Sequence, residues 1–213
     1  LDVRIGDTVI LQKAGDIIPD VVEVIKNLRT GKEKRFVMPK SCPMCEGKVT
    51  RKRGEVALYC LNKDCFAKRL AGMTHFVAKG ALNIDGLGGK LIEKLMNAGF
   101  IKIPADIFTL TREDLAPLEG LGEKSADNLI SAISSAKQSE LSKFIFGLGI
   151  RFIGSESAEL VASLCPTVRN PKELLTCMKK ITQTKIERVE GVGDKTGESV
   201  LEWFSKKVNQ ELL

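Results

Sequence analysis

Aromatic residues are scarce: they make up 5% of the 213 residues, with one tryptophan and one tyrosine. This scarcity argues against an array of base-stacking platforms for single-stranded nucleic acid. No apolar run approaches the roughly 18 residues that a membrane span requires. The chain also lacks a phosphate-loop signature, a Lys-x-Asp-Gly nucleotidylation motif and a Ser/His/Asp set, so we predict no catalytic residue in it.

Four of the six cysteines lie within 24 residues. Cys42 and Cys45 form a C-x2-C pair, and Cys60 and Cys65 form a C-x4-C pair after a 14-residue spacer. Four thiolates complete the tetrahedral coordination of Zn2+ and leave no position open for catalysis, so a structural zinc site is expected. An iron site or free thiols are the alternatives, although iron–sulfur proteins mostly use other spacings.

The remaining cysteines, Cys165 and Cys177, are distant from this cluster, and we predict that they are buried thiols. Cysteine clustering of this kind indicates a metal site in a reducing, intracellular setting, and not a secreted disulfide framework.

Positive charge is concentrated in one stretch. The chain carries a net charge of +6, and residues 26–53 hold ten Lys/Arg with only Glu33 and Glu46 as acids. Such a stretch favours a polyanionic partner. Because few aromatic residues are present to stack on the bases of a single strand, the expected partner is the phosphate backbone of a duplex. The alternative is a solvated basic connector.

Four glycine hairpins recur along the second part of the chain: IDGLGGKL (84–91), LEGLGEKS (118–125), IRFIGSES (150–157) and VEGVGDKT (189–196). Their last glycines, Gly88, Gly122, Gly154 and Gly193, follow one another at intervals of 34, 32 and 39 residues. This period predicts repeated helix–hairpin–helix units. We expect positive φ at both glycines of Gly120-Leu121-Gly122, and backbone amides that bind phosphate where the next helix begins. In the third copy Phe152 replaces a glycine, which makes its phosphate contact the weakest prediction. The alternative is a simple left-handed turn at each helix end.

The fold class predicted is mainly α with a small β part. Residues 3–13 and 20–25 alternate in polarity as strands do, and we interpret them as the end of a β-barrel, with a self-contained hairpin as the alternative. Ser155 and Asp194 are predicted helix caps, Gly99 a helix terminator, His75 a packed side chain, and Trp203 and Phe204 core residues. Helices are expected over 66–79, 89–97, 112–116, 123–137, 139–147, 155–164, 171–178, 182–187 and 194–208.

The joint order of KAGDIIP, CPMC…CLNKDC, HFVAKGALNIDGLGGKLIEKL, GEKSADNL and LGIRFIG resembles the bacterial NAD-dependent DNA ligase family over essentially the whole chain. The resemblance implies the end of an OB-fold with a basic connector (1–38), a four-cysteine zinc finger (39–68) and a helix–hairpin–helix domain (69–213). The family's adenylation domain, with its catalytic lysine, and its BRCT domain would lie outside this chain.

The resemblance also implies roles for single residues. Lys13 would contact phosphate while Ile17 and Ile18 press on sugars and base edges beside a nick; the family often has arginine at the Lys13 position. Cys42, Cys45, Cys60 and Cys65 would bind zinc. The phosphate-binding turns would comprise Gly86, Gly88, Lys90, Gly120, Gly122, Lys124, Gly154, Gly191, Gly193 and Lys195.

The implied function is the DNA-binding part of a ligase that seals nicks in replication and repair. Its partner would be nicked duplex DNA bound without sequence preference, and the chain would be a monomer in the bacterial cytoplasm, associated with the nucleoid and not with a membrane. NAD and Mg2+ would act in the full-length enzyme, so this chain alone is predicted to be inactive. A non-enzymatic helix–hairpin–helix scaffold is the alternative, and a helix–hairpin–helix glycosylase is disfavoured because only 17 residues follow VEGVGDKT.

Overall fold

The computed structural model describes residues 1–15, 17–51, 54–118 and 120–212. Asp16 of KAGDIIP and Lys52 and Arg53 of the basic stretch therefore lie outside the described residues. The chain divides into two units, residues 1–62 and 63–213, which are described separately. Among the described residues, no helix combines the length and the apolar character needed to cross a membrane.

The first unit is built from short antiparallel strand pairs. Its strands are β1 (Arg4–Ile5), β2 (Val9–Ala14), β3 (Ile18–Val24), β4 (Lys34–Arg35), β5 (Val49–Arg51) and β6 (Leu58–Cys60), paired β1–β4, β2–β3 and β5–β6. The prediction of one strand over 3–13 is wrong, because Gly6 adopts a φ of +97° and turns the chain between β1 and β2. The basic stretch contains a short 3-10 helix, Lys26–Leu28, as well as β4.

An ion pair ties the end of this 3-10 helix to the turn before β2. Arg29 Nε and Nη2 donate to the two carboxylate oxygens of Asp7 at 2.7 and 2.8 Å, and the Arg4 backbone N–H donates to the same carboxylate at 2.7 Å. The hydrogen bonds from Arg29 hold the pKa of Asp7 below its usual value. Because a paired arginine and carboxylate fix each other's orientation, this contact sets the position of β2 and β3 relative to the 3-10 helix.

The β2–β3 hairpin buries little apolar surface. Among the described residues of the first unit, only Val24 and Cys42 are buried hydrophobic residues. By contrast, apolar side chains stand exposed on both strands and at the turn: Ile10, Leu11, Ile17, Ile18 and Val22. Two-stranded hairpins are marginally stable without a covering surface, so this unit depends on contacts other than its own core.

The second unit is helical. Its α-helices are α1 (Phe66–Val77), α2 (Gly89–Asn97), α3 (Arg112–Leu115), α4 (Glu123–Ala136), α5 (Leu141–Gly147), α6 (Ser155–Ser163), α7 (Pro171–Met178), α8 (Gln183–Glu187), α9 (Asp194–Ser205) and α10 (Lys207–Gln210). The predicted mainly α fold class is thereby confirmed. A 3-10 helix, Pro104–Thr109, had no counterpart in the prediction, and the last predicted helix is divided at Lys206, whose φ and ψ are extended.

Two apolar cores stabilise the helical unit. The first is formed by the helices around the hairpins at 84–88 and 118–122, and the second by those around 150–154 and 189–193. In α4, for example, Ala126, Leu129 and Ile133 recur at helical spacing and are all buried. Phe144 and Leu148 on and after α5 pack against both cores, so the repeats share one continuous interior.

The predicted packing roles of His75 and of Phe204 are confirmed. His75 Nε2 lies 2.8 Å from the carbonyl oxygen of Phe146, and the two rings meet edge to face at 4.7 Å. Phe204 is buried in the second core, against which Trp203 packs. Gly99 adopts a φ of +81° just past Ala98, the C-cap of α2, as expected of a helix terminator.

The prediction of two separate thiols is wrong for Cys165 and Cys177, because the structure joins their sulfurs in a disulfide. The bond links the segment after α6 to the last turn of α7, with the two Cα atoms 6.1 Å apart. Sequence spacing did not reveal this pair, since the contact is made by packing of α7 in the second core.

We expect the double substitution Cys165→Ala/Cys177→Ala to lower the free energy of unfolding by about 3 kcal/mol, because the bond closes a short loop that restricts the unfolded chain. Denaturant unfolding followed by circular dichroism measures the change. Wild type under reducing conditions is the matched control, since it loses the bond and keeps both sulfur atoms. Identical unfolding of oxidised and reduced wild type would contradict the prediction.

Candidate metal centre and nucleic-acid interface

The four clustered cysteines converge on one point. The Sγ atoms of Cys42, Cys45, Cys60 and Cys65 all lie within 4.8 Å of one another. A tetrahedral zinc with Zn–S bonds of about 2.3 Å separates its sulfurs by about 3.8 Å. The Sγ atoms of Cys45 and Cys60 are 3.6 Å apart, which fits this geometry. The donor set and its spacing therefore match a closed zinc site.

Local backbone contacts hold the first pair of cysteines in place. The Cys42 N–H donates to the Gly47 carbonyl at 2.8 Å, and the Glu46 N–H donates to the Cys42 carbonyl at 2.8 Å. A Cβ at Gly47 would come within 3.2 Å of both the Cys45 sulfur and the Asn62 side chain. Glycine at this position therefore allows the backbone to pass close to the sulfurs, a requirement that the sequence prediction did not identify.

The second pair is presented by a strand and a helix start. Cys60 ends β6, where it pairs with Val49 of β5. Cys65 is buried and is the N-cap of α1, and its carbonyl accepts the Arg69 N–H at 3.1 Å.

The surroundings shift the pKa values of two of the thiols in opposite directions. Hydrogen bonds lower the pKa of Cys45 to about 6, with the largest contribution from the Asn62 side chain and the next from the Gly47 backbone. Burial raises the pKa of Cys60 to about 11. The surroundings of Cys45 thus favour the charged form of its sulfur and burial disfavours that of Cys60, while the positive charge of a bound metal would favour thiolates at both.

The four predicted hairpins share one local geometry. In each, the aliphatic residue before the last glycine donates its N–H to a carbonyl three residues earlier, at 3.0 to 3.2 Å: Leu87 to Ile84, Leu121 to Leu118, Ile153 to Ile150 and Val192 to Val189. Each hairpin joins a preceding helix to a following one, in the pairs α1–α2, α3–α4, α5–α6 and α8–α9. The helix–hairpin–helix prediction is thereby confirmed.

The two glycines of each hairpin have different roles. Gly86, Gly120 and Gly191 adopt φ of +80°, +86° and +89°, a backbone that favours glycine. The last glycines are helix N-caps with extended backbone and negative φ; for Gly122, φ is −73°. The expectation of positive φ at both glycines is therefore wrong for the last one.

The helix starts have no side-chain cap. Gly88, Gly122, Gly154 and Gly193 are the N-caps of α2, α4, α6 and α9, and none of these helices has a side-chain hydrogen bond at its N-cap. The predicted caps Ser155 and Asp194 are instead the first residues inside their helices. The third amides of α2, α4 and α9 donate to the carbonyls of their N-cap glycines. The first two amides of a helix have no intrahelical acceptor, so they remain available to a ligand.

The third hairpin keeps the shared geometry without its first glycine. Phe152 occupies that position with a φ of +65°, and its side chain is 53% exposed. The Arg151 guanidinium lies over the ring, 4.6 Å from its centre. The sequence prediction treated Phe152 only as a defect; comparing the four repeats position by position would have identified it as an exposed aromatic residue at a turn.

The other predicted contact residues are accessible. Lys90, Lys124 and Lys195 are exposed, each at the second residue of its helix. Lys13 pairs with Pro19 near the turn of the β2–β3 hairpin, where Ile17 and Ile18 are 84% and 69% exposed. The structure gathers the cysteines into one site and the glycines into four separate turns, while the β2–β3 hairpin belongs to the other unit.

Together these features define a class: a zinc-finger chain with tandem helix–hairpin–helix repeats, an arrangement typical of nucleic-acid binding. Four family models match it. They are the NAD-dependent DNA ligase OB-fold domain (residues 1–33), the NAD-dependent DNA ligase C4 zinc finger domain (41–67), the SAM-like helix-hairpin-helix tandem (79–135) and the helix-hairpin-helix motif (143–213).

Curated relatives agree with these matches. Proteins named DNA ligase from Bacillus velezensis, Halalkalibacterium halodurans and Bacillus subtilis strain 168 are 44%, 42% and 43% identical to the chain over 212 residues. Each alignment covers 100% of this chain and 31% of the relative's length. The chain therefore matches the OB-fold and C4 zinc-finger domain models of NAD-dependent DNA ligases, together with two general helix–hairpin–helix models.

We expect Cys60→Ser to remove the bound zinc and to unfold residues 42–65, because the described part of the first unit has almost no apolar core to replace the metal. Loss of a ligand should weaken zinc binding by more than the roughly 10- to 100-fold typical of outer-shell changes. Elemental analysis and limited proteolysis measure the two effects.

The Cys165→Ala/Cys177→Ala variant is the matched control, since it loses two cysteines outside the cluster and should retain one zinc per chain. Purification of wild type with iron, or a wild-type proteolysis pattern after complete chelation, would show that zinc does not hold this module.

Proposed function

We propose that this chain is the DNA-binding part of an NAD-dependent DNA ligase and that it grips nicked duplex DNA through the phosphate backbone. The observation that carries the proposal is the glycine N-cap of each hairpin helix. At Gly88, Gly122, Gly154 and Gly193 an added Cβ would meet nothing within 4 Å, and the backbone is extended.

Neither space nor backbone conformation therefore requires glycine at these positions. Among the residues that N-caps favour, Ser, Thr, Asp and Asn satisfy free amides with their own side chains, whereas glycine does not. Glycine leaves those amides free and allows a phosphate to approach closely, which explains its use at all four starts. Binding through backbone amides does not distinguish bases, so it accounts for the proposed lack of sequence preference.

The β2–β3 hairpin supplies a second part of the proposal. Its turn carries Lys13 next to the exposed Ile17 and Ile18, a cation beside an apolar surface. This combination suits a phosphate and the sugars next to it. We assign these residues to contacts beside the nick, as the family resemblance implies, and Lys90, Lys124 and Lys195 to added charge contacts at the hairpins.

In this proposal, the chemistry that joins the nick is carried out by the rest of a longer protein, since the chain spans 31% of the length of the relatives it matches. NAD would supply AMP to an adenylation domain, and Mg2+ would assist sealing there. This chain orients the DNA ends, with boundaries near residues 38 and 68 between its OB, zinc and hairpin parts. We place the protein in the bacterial cytoplasm, with the nucleoid, as a monomer that acts in replication and repair.

Incubating the chain with NAD, Mg2+ and nicked duplex should yield neither an AMP adduct nor a sealed product, because the chain has no nucleotidylation motif. Denaturing electrophoresis of labelled DNA and of the protein detects both products. A full-length NAD-dependent ligase on the same substrate is the positive control, and sealing by the pure chain would refute the proposed division of labour.

At the second hairpin, we expect Gly122→Ser to weaken duplex binding by about 1–3 kcal/mol at every salt concentration while the protein stays as stable as wild type. Serine is a preferred N-cap, so the fold tolerates it. Its hydroxyl occupies the amides that would bind phosphate, and its Cβ enters the space that the phosphate would use. Fluorescence anisotropy across a salt series measures the affinity.

Lys124→Ala provides the comparison in the same turn. It should cost at most about 1 kcal/mol and flatten the slope of log K against log salt by about 0.9, the value for one phosphate contact. If folded Gly122→Ser binds like wild type while lysine variants in residues 26–53 abolish binding, the hairpins are structural turns and the basic stretch is the DNA site.

A further inference from the structure

The third hairpin differs from the others in a way that phosphate binding does not explain. Its first-glycine position holds Phe152, with φ at +65°. A left-handed backbone is unfavourable for a bulky residue, and glycine removes that cost in the other three copies. A ring kept in a strained turn and left 53% exposed contributes little to the core.

The ring's position relative to the helix start defines what it can reach. Phe152 lies two residues before Gly154, the N-cap of the nine-residue helix α6, whose first amides are uncapped by any side chain. The intervening Ile153 points into the core, and its N–H closes the turn on Ile150. A phosphate at the start of α6 would therefore bring the neighbouring deoxyribose and base edge next to the Phe152 side chain.

Together, Arg151 and Phe152 form a surface that suits a nucleotide. Its guanidinium lies 4.6 Å from the ring centre, so one flat face of the ring is covered by a cation and the remaining apolar surface stays accessible. Apolar side chains beside cations are the means by which proteins press on sugars and base steps from a groove.

We propose that Phe152, supported by Arg151, contacts a nucleotide by packing against a deoxyribose and the adjacent base edge. In this arrangement the third hairpin contacts groups inside a groove of the duplex, whereas the other three hairpins contact only phosphates. This inference rests on the proposed binding of duplex DNA. It assigns to Phe152 an affinity contribution that is apolar and independent of salt.

Phe152→Gly tests the inference with little disturbance of the fold, because it installs the residue found in the other three hairpins. Its melting temperature should remain within about 4 °C of wild type, since relief of the left-handed backbone offsets loss of the ring. Its affinity for a nicked duplex should fall roughly 5- to 30-fold, as expected for loss of one aromatic contact to a nucleotide. The slope of log K against log salt should not change.

A duplex with single 2-aminopurine substitutions near the nick gives a local readout. Wild type should change the 2-aminopurine fluorescence at one or two positions, and Phe152→Gly should abolish that change at saturating protein. Val208→Ala is the control, since it trims an apolar side chain of similar exposure (48%) on α10, outside the hairpins, and should behave as wild type.

Two outcomes would overturn the inference, and they are distinguishable. If wild type binds the duplex and Phe152→Gly matches it in affinity and fluorescence, Phe152 serves only to hold Arg151, while the proposed function stands. If wild type itself fails to bind duplex DNA, both the inference and the proposed function fail.

Discussion

The helical unit depends on one backbone arrangement, a left-handed residue followed two positions later by a helix N-cap. It turns the chain within four residues, buries the aliphatic residue between them and points the first amides of the next helix outward. The turn, the buried aliphatic residue and the outward-pointing amides depend on one another. Leu87, for instance, is buried while it donates the turn's hydrogen bond, so the core fixes the hairpin and the hairpin fixes the direction of α2. The same turn thus serves folding through its side chain, while its backbone presents the amides that we propose bind phosphate.

The two units obtain their stability in different ways. The helical repeats each expose an apolar face that only a neighbour can cover, and Phe144 and Leu148 join the cores into one interior. The first unit has no comparable interior among its described residues. There a bidentate contact between Arg29 and Asp7 and the sulfurs of Cys42, Cys45 and Cys60 take the place of apolar packing. Metal binding and folding are therefore coupled in the zinc module, whereas the helical repeats fold by burial.

The proposed contacts with DNA rely mainly on backbone amides and on lysines at helix starts. Such groups recognise the spacing of phosphates, which is the same for every sequence, and this suits a protein that must hold any nick. In the same proposal, the exposed side chains of Ile17, Ile18 and Phe152 would add contacts with sugars, which are also shared by all sequences. Contacts of this proposed kind would combine strong orientation with little discrimination, as positioning of two DNA ends requires.

The sequence by itself determined the features that depend on spacing along the chain: the four-cysteine group, the register of the hairpins and most helices, including α7, whose predicted and observed bounds agree. These are short-range properties, because turns, metal-ligand pairs and amphipathic helices are specified within a few residues. Only the tertiary structure decided the extended backbone of Gly122, the disulfide of Cys165 and Cys177, the division of the last helix at Lys206 and the exposure of Phe152. The disulfide follows from which helices pack together, and residues far apart in the chain set that packing.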